Sequence, residues 1–223
     1  MSLPTRLLQV RVLSSAPTLM TPLLSILICT VAKRAALFSR VYIQIAKQLT
    51  DEVECLVHCD TNVLKTGSKR NLLIERARGK YVVFIDDDDH ISKHYIKNIL
   101  SAARQDPDAI GITGIYTHDY HFKQRFVSSN QAKYLSMIGP KFAVRKLGHI
   151  TPVRREFAKQ AIFPDIYHGE DYFYSSALEP LIKTEIMAEG SLYWYDYRPN
   201  QSESIIMDIK DNQRGWKLGF GVA

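Results

Sequence analysis

Long apolar runs are scarce in this chain of 223 residues. The most apolar stretch, residues 23–31, contains Ser25 and Thr30 and is much shorter than the roughly 20 apolar residues that a membrane-spanning helix needs. The N-terminal residues include Arg6 and Arg11 but no continuous apolar stretch, which does not fit a secretory signal. We therefore expect a cytoplasmic protein without a transmembrane segment, with peripheral contact to a membrane as an open alternative.

Cysteine, glycine and proline are also sparse, with 3, 11 and 9 residues respectively. So few glycines and prolines exclude a collagen-like repeat and a low-complexity chain, and three cysteines exclude a disulfide-rich scaffold. Cys29, Cys55 and Cys59 lie in apolar, strand-like stretches, so we predict reduced, buried thiols. A metal cluster is the alternative, but the spacing of these cysteines lacks a second pair of ligands.

The composition is that of an ordinary globular protein, with 46% hydrophobic residues, 23% charged residues and a net charge of +6. The length fits one domain with a sizeable core. The excess of positive charge favours phosphate-bearing partners, or it reflects a basic solvated surface. Charge alone does not choose between these two interpretations.

Hydrophobic patterning predicts an alternation of buried strands and amphipathic helices. Ser68 is predicted to cap the second helix, and Gly79 to follow that helix in the left-handed region of backbone space. Short connections from strand to helix to strand indicate a parallel sheet with right-handed crossovers, and therefore an α/β fold. The predicted strands are residues 24–29, 53–58, 81–85, 109–116, 142–144 and 191–197, and the predicted helices are residues 35–49, 68–77, 92–103 and 156–161.

Four consecutive aspartates, Asp86, Asp87, Asp88 and Asp89, follow the third predicted strand. Ligands of open α/β sheets bind outside the carboxyl ends of the strands, so these side chains are candidates for a site. Adjacent carboxylates repel one another, and a divalent cation relieves that repulsion; oxygen ligands favour Mg2+ or Mn2+. In the alternative interpretation, Asp89 caps a helix that begins near Ile91, but capping needs one or two acids rather than four.

A second acidic pair, Glu170 and Asp171, lies after a predicted loop and just inside a predicted helix start. A carboxylate in this position can serve as a general base. Acidic residues are also common in the first turn of a helix, where they favour the helix dipole, so the local sequence leaves both interpretations open.

Taken together, these segments resemble the inverting glycosyltransferases of family 2, which have the GT-A fold, and in particular the small bacterial or phage-like members. The resemblance is most specific at residues 67–89, where a helix, a glycine and a strand lead into the aspartate run in the manner of the family's Asp-x-Asp-Asp signature. It extends from about residue 24 to about residue 202. We therefore expect a single GT-A domain with a mainly parallel central sheet at residues 23–204, an N-terminal extension at 1–22 and a tail at 205–223.

The resemblance implies roles for the matched positions. Asp171 would be the catalytic base with Glu170 as its neighbour, and Asp88 would be the metal ligand with Asp89 as a secondary candidate. The sequence departs from the family at residues 29–34, where many members have Pro-Thr-Tyr-Asn-Arg. The residues implied in binding the donor nucleotide are Thr30 and Asp60 at the base and ribose, Arg34 and Arg70 near the base or phosphates, Asp86 near the ribose with Asp87 beside it, and Arg198 over the diphosphate.

The implied function is a metal-dependent, inverting, hexosyltransferase-like transfer of a sugar from a nucleotide-diphosphate donor, with UDP favoured, to a glycan, a lipid-linked or another hydroxyl acceptor. Mn2+ or Mg2+ would be the cofactor, and no stable nucleic-acid complex is expected. A nucleotidyltransferase of similar fold is an alternative, but residues 30–34 contain no glycine for a phosphate-binding loop. A nucleic-acid-binding module or a non-catalytic sugar-nucleotide binder are further alternatives, of which the first gives no reason for the four aspartates.

Several polar and aromatic residues are weaker candidates for the functional site than those above. His149 and His168 are each interpreted as a surface or satisfied polar group, with contact to the acceptor or the diphosphate as the alternative, and Ser202 as part of a solvated loop or a cover for the diphosphate. The aromatic residues of 193–197 are interpreted as core on one face of a strand, with stacking on a sugar as the alternative. Trp216 and Phe220 in the basic tail leave a lid, an oligomer contact and a membrane-surface patch open as alternatives.

Overall fold

The computed structural model describes residues 11–12, 21–118, 122–131, 136–137, 142–166 and 169–197. The first half contains β1 (Arg11–Val12), β2 (Leu24–Val31), α1 (Ala35–Ala46), β3 (Val53–Asp60), α2 (Thr66–Arg76) and β4 (Tyr81–Phe84), with one turn of 3-10 helix at Ala32–Arg34. The second half contains β5 (His90–Ile91), α3 (Tyr95–Ala103), β6 (Ala109–His118), β7 (Phe122–Ser128), β8 (Ser136–Met137), β9 (Phe142–Arg145), β10 (Val153–Arg154), α4 (Arg155–Gln160), α5 (Glu170–Leu178) and β11 (Glu185–Tyr197).

Strands β3, β2 and β4 form the parallel centre of the sheet, with β2 between the other two. Strand β2 is apolar along nearly its whole length because its side chains are buried on both faces of the sheet. Val31 pairs with Asp60, and Leu27 pairs with Phe84. The carboxyl ends of the three strands therefore meet at one edge, where the loop after β4 carries the four aspartates.

The complete sheet is mixed, in the order β1-β3-β2-β4-β10-β6-β7-β9-β8, with β11 parallel to β6 and antiparallel to β5. The short strand β10 pairs antiparallel with both β4 and β6, and so joins the parallel centre to the second half of the sheet. The α/β fold class with a mostly parallel central sheet is confirmed.

Helices cover both faces of the sheet. On one face, Val41 of α1 and Ile99 of α3 pack with Ile26 and Ile28 of β2. On the other face, Leu27 of the same strand packs in a second core with residues of α2, α4 and α5: Leu73, Ile74, Ala158, Tyr174 and Leu178. Alternating residues of one strand thus stabilise two separate cores, as the pleat of a strand requires.

Three local predictions are wrong. Helix α2 begins at Thr66, so Ser68 is not its cap; the Ser68 hydroxyl instead donates to the Asp165 carboxylate at 2.5 Å. Asp89 caps no helix, because His90–Ile91 forms β5 and α3 begins only at Tyr95. Gly79 does not have a positive φ and is required for a different reason, given below.

Predicted boundaries also shifted. Helix α1 ends three residues before the predicted end, and β11 begins six residues before the predicted strand at 191–197. Strand β7 was not predicted at all, because its sequence FKQRFVS alternates too weakly to stand out. The predicted domain boundaries at residues 22 and 204 stay predictions.

The three cysteines are free thiols, and Cys55 is buried as predicted, whereas Cys29 and Cys59 are only half-buried. Burial raises the pKa of Cys55 to about 12. Within the described ranges, no helix has the length and apolar character that crossing a membrane requires.

We predict that Gly79→Ala destabilises the fold. A Cβ atom on Gly79 would lie 2.6 Å from the backbone nitrogen of Ser25 and 2.8 Å from the carbonyl carbon of Leu24, and backbone atoms of a buried strand cannot move aside easily. We expect the free energy of unfolding, measured by urea denaturation, to fall by about 1–3 kcal/mol.

Gly148→Ala is the matched control, because a Cβ atom there meets no heavy atom closer than 3.7 Å. Its free energy of unfolding should change by less than about 1 kcal/mol. If Gly79→Ala and the wild type have the same unfolding midpoint in urea, Gly79 does not lie as close to the backbone of β2 as the structure indicates.

Candidate active site

The loop that carries the four aspartates is hydrogen-bonded to residues at the end of β2. The Thr30 hydroxyl donates to Asp87 Oδ2 at 2.6 Å, and the Arg34 guanidinium donates to Asp87 Oδ1 at 2.6 Å through Nη2. The same Nη2 lies 2.8 Å from Asp88 Oδ2. Burial raises the pKa of Asp87, although the Arg34 contact opposes this shift. Three residues predicted to bind the donor therefore lie together, with Asp88 as their more exposed neighbour.

Asp60, at the end of β3, accepts hydrogen bonds from the backbone N–H groups of Asn62 and Leu64 at 3.0 and 3.1 Å. Lys69 of α2 is buried and places its Nζ 2.7 Å from Asp60 Oδ1. Burial alone would raise the pKa of Asp60, but the hydrogen bonds from Lys69 and the two backbone groups lower it. Lys69 was not predicted as part of the site, because a lysine near the start of a helix gives no sign of burial.

Arg70 of α2 joins the two acidic motifs. Its Nη1 donates to Glu170 Oε1 at 2.8 Å, and its Nη2 lies 3.3 Å from Asp86 Oδ1. The guanidinium is buried beside the rings of Phe84 and Phe163, 5.5 and 5.3 Å from their centroids, and these two rings pack edge to face. A planar group that bonds two carboxylates through separate nitrogens is a geometry that arginine provides and lysine does not.

Helix α5 presents the second acidic motif. Its N-cap, Gly169, has φ 79°, a left-handed conformation that glycine adopts without strain. Glu170 and Asp171 follow in the first turn, where the helix dipole favours negative charge. Glu170 is buried, whereas the Asp171 side chain is 36% exposed. Burial raises the pKa of Glu170, opposed by Arg70 and reinforced by Asp171.

His149 links the two motifs on their other side. Its carbonyl accepts the N–H of Phe84 at 2.9 Å, which fixes the loop before β10 against the end of β4. Its Nε2 lies 3.0 Å from Asp86 Oδ2, and its Nδ1 faces Asp171 Oδ2 at 3.9 Å. His149 is therefore a polar group that is bonded within the fold at Nε2, in agreement with one interpretation, but its place between the two acidic motifs was not predicted. No local pattern could have revealed this position, because the contact depends on how a loop crosses the sheet.

Asp89, the last of the four aspartates, has its side chain on the buried side of the loop. It is buried and accepts a hydrogen bond from the Tyr193 hydroxyl at 2.7 Å and a long one from the N–H of Asp196 at 3.4 Å. The Tyr193 oxygen in turn accepts the N–H of Asp86 at 3.2 Å. Burial, with the charges of Asp86 and Asp88, raises the pKa of Asp89 well above its ordinary value. Tyr193 is core, as predicted, and it also ties the aspartate loop to β11.

Negative charge exceeds positive charge at this edge. Burial alone would raise the pKa of Asp86, but its contacts with His149, Arg70 and Arg34 lower it. The carboxylates are Asp86, Asp87, Asp88, Asp89, Glu170 and Asp171, and their basic neighbours are Arg34, Arg70, His149 and Arg145, the last with its Nη2 3.9 Å from Asp171. A divalent cation would reduce the repulsion among them.

The donor set fits a cation shared with a substrate. In the described part of the chain, no three His, Cys, Asp or Glu side chains lie close enough to hold a metal ion by themselves. Asp88 is the carboxylate that fits best, because its side chain is 33% exposed and only one of its oxygens lies at Arg34. Mg2+ is commonly held by one or two carboxylates together with substrate phosphates and water. Asp89 fits less well, because both of its oxygens accept hydrogen bonds within the fold.

Several predicted positions lie outside the described residues. They are Arg198, expected over the diphosphate, together with His168, Ser202, Trp216 and Phe220.

Comparison with known proteins gives one family match. The model described as Glycosyl transferase family 2 matches residues 42–163, which is more than half of the chain. A search among curated proteins finds no match.

Solved structures of TarS from S. aureus share the fold. The structure of TarS 1-349 in complex with UDP-GlcNAc has a TM-score of 0.56 at 14% sequence identity, covering 82% of this chain and 60% of that one. A further TarS structure has a TM-score of 0.54 at 15% identity, covering 88% of this chain and 40% of that one. TarS 1-349 in complex with UDP has a TM-score of 0.54 at 14% identity, covering 88% and 67%. The chain thus spans less than two thirds of the first two structures.

We predict that Glu170 makes the stability of the protein depend on pH. Because its pKa is raised in the folded protein, the folded state holds the proton more tightly than the unfolded chain. The contribution of Glu170 to stability is therefore lost as the pH rises above its ordinary value of 4.5. The free energy of unfolding of the wild type minus that of Glu170→Gln should decrease between pH 4.5 and the raised pKa, when measured by urea denaturation.

Glu75→Gln is the control, because Glu75 is exposed and paired with Lys159 at the surface. A difference between the wild type and Glu170→Gln that stays constant or grows with pH would contradict the environment assigned to Glu170.

Proposed function

This chain belongs to glycosyl transferase family 2, and from that premise we propose that it transfers a sugar from a nucleotide-diphosphate donor, with UDP favoured, to an acceptor hydroxyl with inversion at the anomeric carbon. One observation carries the proposal. Arg70 and His149 hold the aspartate loop after β4 and the acidic turn of α5 at the same edge of the sheet. A carboxylate for the donor side and a separate carboxylate for the acceptor side therefore lie close together.

The donor nucleotide is proposed to lie across the carboxyl ends of β2 and β3. Asp60, held by two backbone N–H groups and Lys69, offers rigid acceptors for ribose hydroxyls or a base edge. Arg34 and Arg70 currently pair with carboxylates, and a diphosphate at this edge would compete for the same guanidinium groups. Arg198 stays a prediction for the diphosphate. UDP is favoured because TarS, which shares the fold, was crystallised with UDP-GlcNAc and with UDP.

Asp88 is the proposed ligand of a divalent cation, Mn2+ or Mg2+. Asp89 is proposed only to hold the loop against β11, through its hydrogen bonds to Tyr193 and Asp196. A bound divalent cation supplies positive charge that stabilises the leaving nucleotide diphosphate. The other aspartates of the loop act through the fold. Asp87 holds Arg34 and Thr30, and Asp86 is held by Arg70 and His149.

Asp171 is the proposed general base. The acceptor oxygen attacks the anomeric carbon on the face opposite the diphosphate, the bond from that carbon to the phosphate oxygen breaks, and the acceptor proton passes to the Asp171 carboxylate. Glu170 does not compete for this role, because it is buried against Arg70 and faces away from solvent. The exposure of Asp171 gives an acceptor access to its oxygens.

The acceptor is proposed only as a class: a glycan, a lipid-linked sugar or another hydroxyl compound, with a hexose as the transferred group. A cytoplasmic location, with contact to a membrane surface as an option, stays part of the proposal.

We predict that two single substitutions separate donor binding from transfer. Asp171→Asn should keep Mn2+-dependent binding of UDP and lower the turnover of a UDP-sugar about 10²–10⁴-fold, because only the base is lost. Asp88→Asn should weaken Mn2+-dependent UDP binding itself by about tenfold or more, which is ~1.4 kcal/mol. Calorimetric titration with UDP and chromatography of released UDP measure the two quantities.

Asp51→Asn is the control, because Asp51 is exposed in the turn before β3, at the opposite end of the strand from the site. Turnover by Asp171→Asn at the wild-type rate would exclude Asp171 as the base. UDP binding by Asp88→Asn with unchanged metal dependence would exclude Asp88 as the ligand.

A further inference from the structure

His149 has a buried ring nitrogen that no hydrogen bond satisfies. The side chain is 9% exposed, its Nε2 is occupied by Asp86 at 3.0 Å, and its Nδ1 has no hydrogen-bond partner. Burying a polar atom without a hydrogen bond costs free energy, so such an atom calls for an explanation. The Nδ1 atom points at Asp171 Oδ2, 3.9 Å away, which is too long for a hydrogen bond in this state. Catalytic hydrogen bonds are often long before substrate binds and tighten afterwards.

We propose that His149 is a positioning residue that acts through Asp171: its Nδ1 takes over the proton that Asp171 removes from the acceptor hydroxyl, while its Nε2 stays bonded to Asp86. The inference rests on the proposed function, because it requires Asp171 to be the base. It adds a second stage to the path of the proton.

The charges around the ring suit this role. Asp86 faces the ring from the loop after β4, and Asp171 faces it from α5, with Glu170 beside it. Arg70 of α2 bonds both Asp86 and Glu170, and Arg145 of β9 lies 3.9 Å from Asp171. An imidazolium formed at His149 would therefore lie between two carboxylates, which stabilise it.

The proton and electrons balance in two steps. First, the O–H bond of the acceptor breaks as its oxygen bonds to the anomeric carbon, and the proton joins an oxygen of Asp171. Second, the protonated Asp171 donates to the Nδ1 lone pair, so that an N–H bond forms and the Asp171 carboxylate is restored. The imidazolium then releases this proton to water once the products leave. No oxidant or co-reactant is needed.

A proton path through Asp171 and His149 gives the reaction rate two measurable properties. The reaction requires both Asp171 and Nδ1 to be free of a proton at the start, so the acid side of the pH profile of kcat/KM should reflect two protonations. Because His149 acts only through Asp171, replacing His149 should change the rate little once Asp171 has been replaced. A purely structural histidine would have neither property.

The test uses water as the acceptor and compares the wild type, His149→Gln, Asp171→Asn and the double variant in the hydrolysis of a panel of UDP-hexoses with Mn2+. Glutamine keeps an amide near the position of Nε2, for the bond to Asp86, but has no proton acceptor at the position of Nδ1. His94→Gln is the control, because His94 is exposed at the start of α3. The stabilisation of each variant by UDP reports whether it is folded and binds nucleotide.

We expect His149→Gln to lose about 10- to 100-fold in kcat with unchanged UDP binding, and the acid limb of its pH profile to show one protonation instead of two. In the Asp171→Asn background, the same substitution should change the rate less than twofold. If His149→Gln does not fold, His149→Asn replaces it, and the same loss of one protonation is expected.

Two results would overturn the inference. One is a pH profile of His149→Gln that equals that of the wild type. The other is an equal loss of rate when His149 is replaced in the wild type and in Asp171→Asn. Either result would mean that His149 is only structural, while Asp171 would still be the base. Failure of the proposed function looks different, because the wild type would then hydrolyse no UDP-hexose at any pH, and the inference would fall with it.

Discussion

The buried guanidinium of Arg70 is the interaction on which the rest of the site depends. A buried cation is costly unless carboxylates pair with it, and removing one member of such a group commonly costs about 3–5 kcal/mol. Arg70 has Glu170 and Asp86 as partners and the rings of Phe84 and Phe163 beside it. Through these contacts one residue of α2 fixes the end of β4 and the start of α5 relative to each other. His149 provides a second link between the two acidic motifs.

Burial divides the acidic residues into two kinds. Asp87, Asp89 and Glu170 are buried, and each is bonded to side chains of the fold: Arg34 and Thr30, Tyr193, and Arg70. Asp86 is 30% exposed but is held at both of its oxygens by Arg70 and His149, whereas Asp88 and Asp171, at 33% and 36% of their side chains, are the most exposed of the six. These two are the carboxylates assigned to the cation and to the acceptor proton in the proposed function.

Much of this arrangement could be predicted from the sequence, because it depends on patterns that are local. The apolar runs of β2, β3 and β4 are typical of strands buried on both faces, and such strands place the residues after them at one edge. Asp60, the four aspartates and the turn at Asp171 follow from that rule. The structure confirms that these positions converge, as far as the described residues extend.

The remaining features depend on contacts between distant segments, which local patterns do not encode. Gly79 follows a helix and therefore indicated a left-handed cap, but the constraint on it is the backbone of β2 against its Cα. His149 gave no signal, because its place depends on a loop that crosses beside β4. Asp89 was offered as a helix cap, whereas it precedes a strand and accepts a hydrogen bond from a tyrosine more than a hundred residues later in the chain. In each case a tertiary contact overrides the local preference.

The central claim is a metal-dependent nucleotide site at the carboxyl edge of β2, β3 and β4. It is tested most directly by thermal unfolding of the wild type with UDP, GDP, CDP and ADP, each with and without Mn2+, because a ligand that binds the folded state raises Tm. We expect UDP with Mn2+ to raise Tm by about 5–10 °C at a hundred times its Kd, and UDP alone to raise it much less. A folded sample whose Tm does not change with any nucleotide would contradict the account.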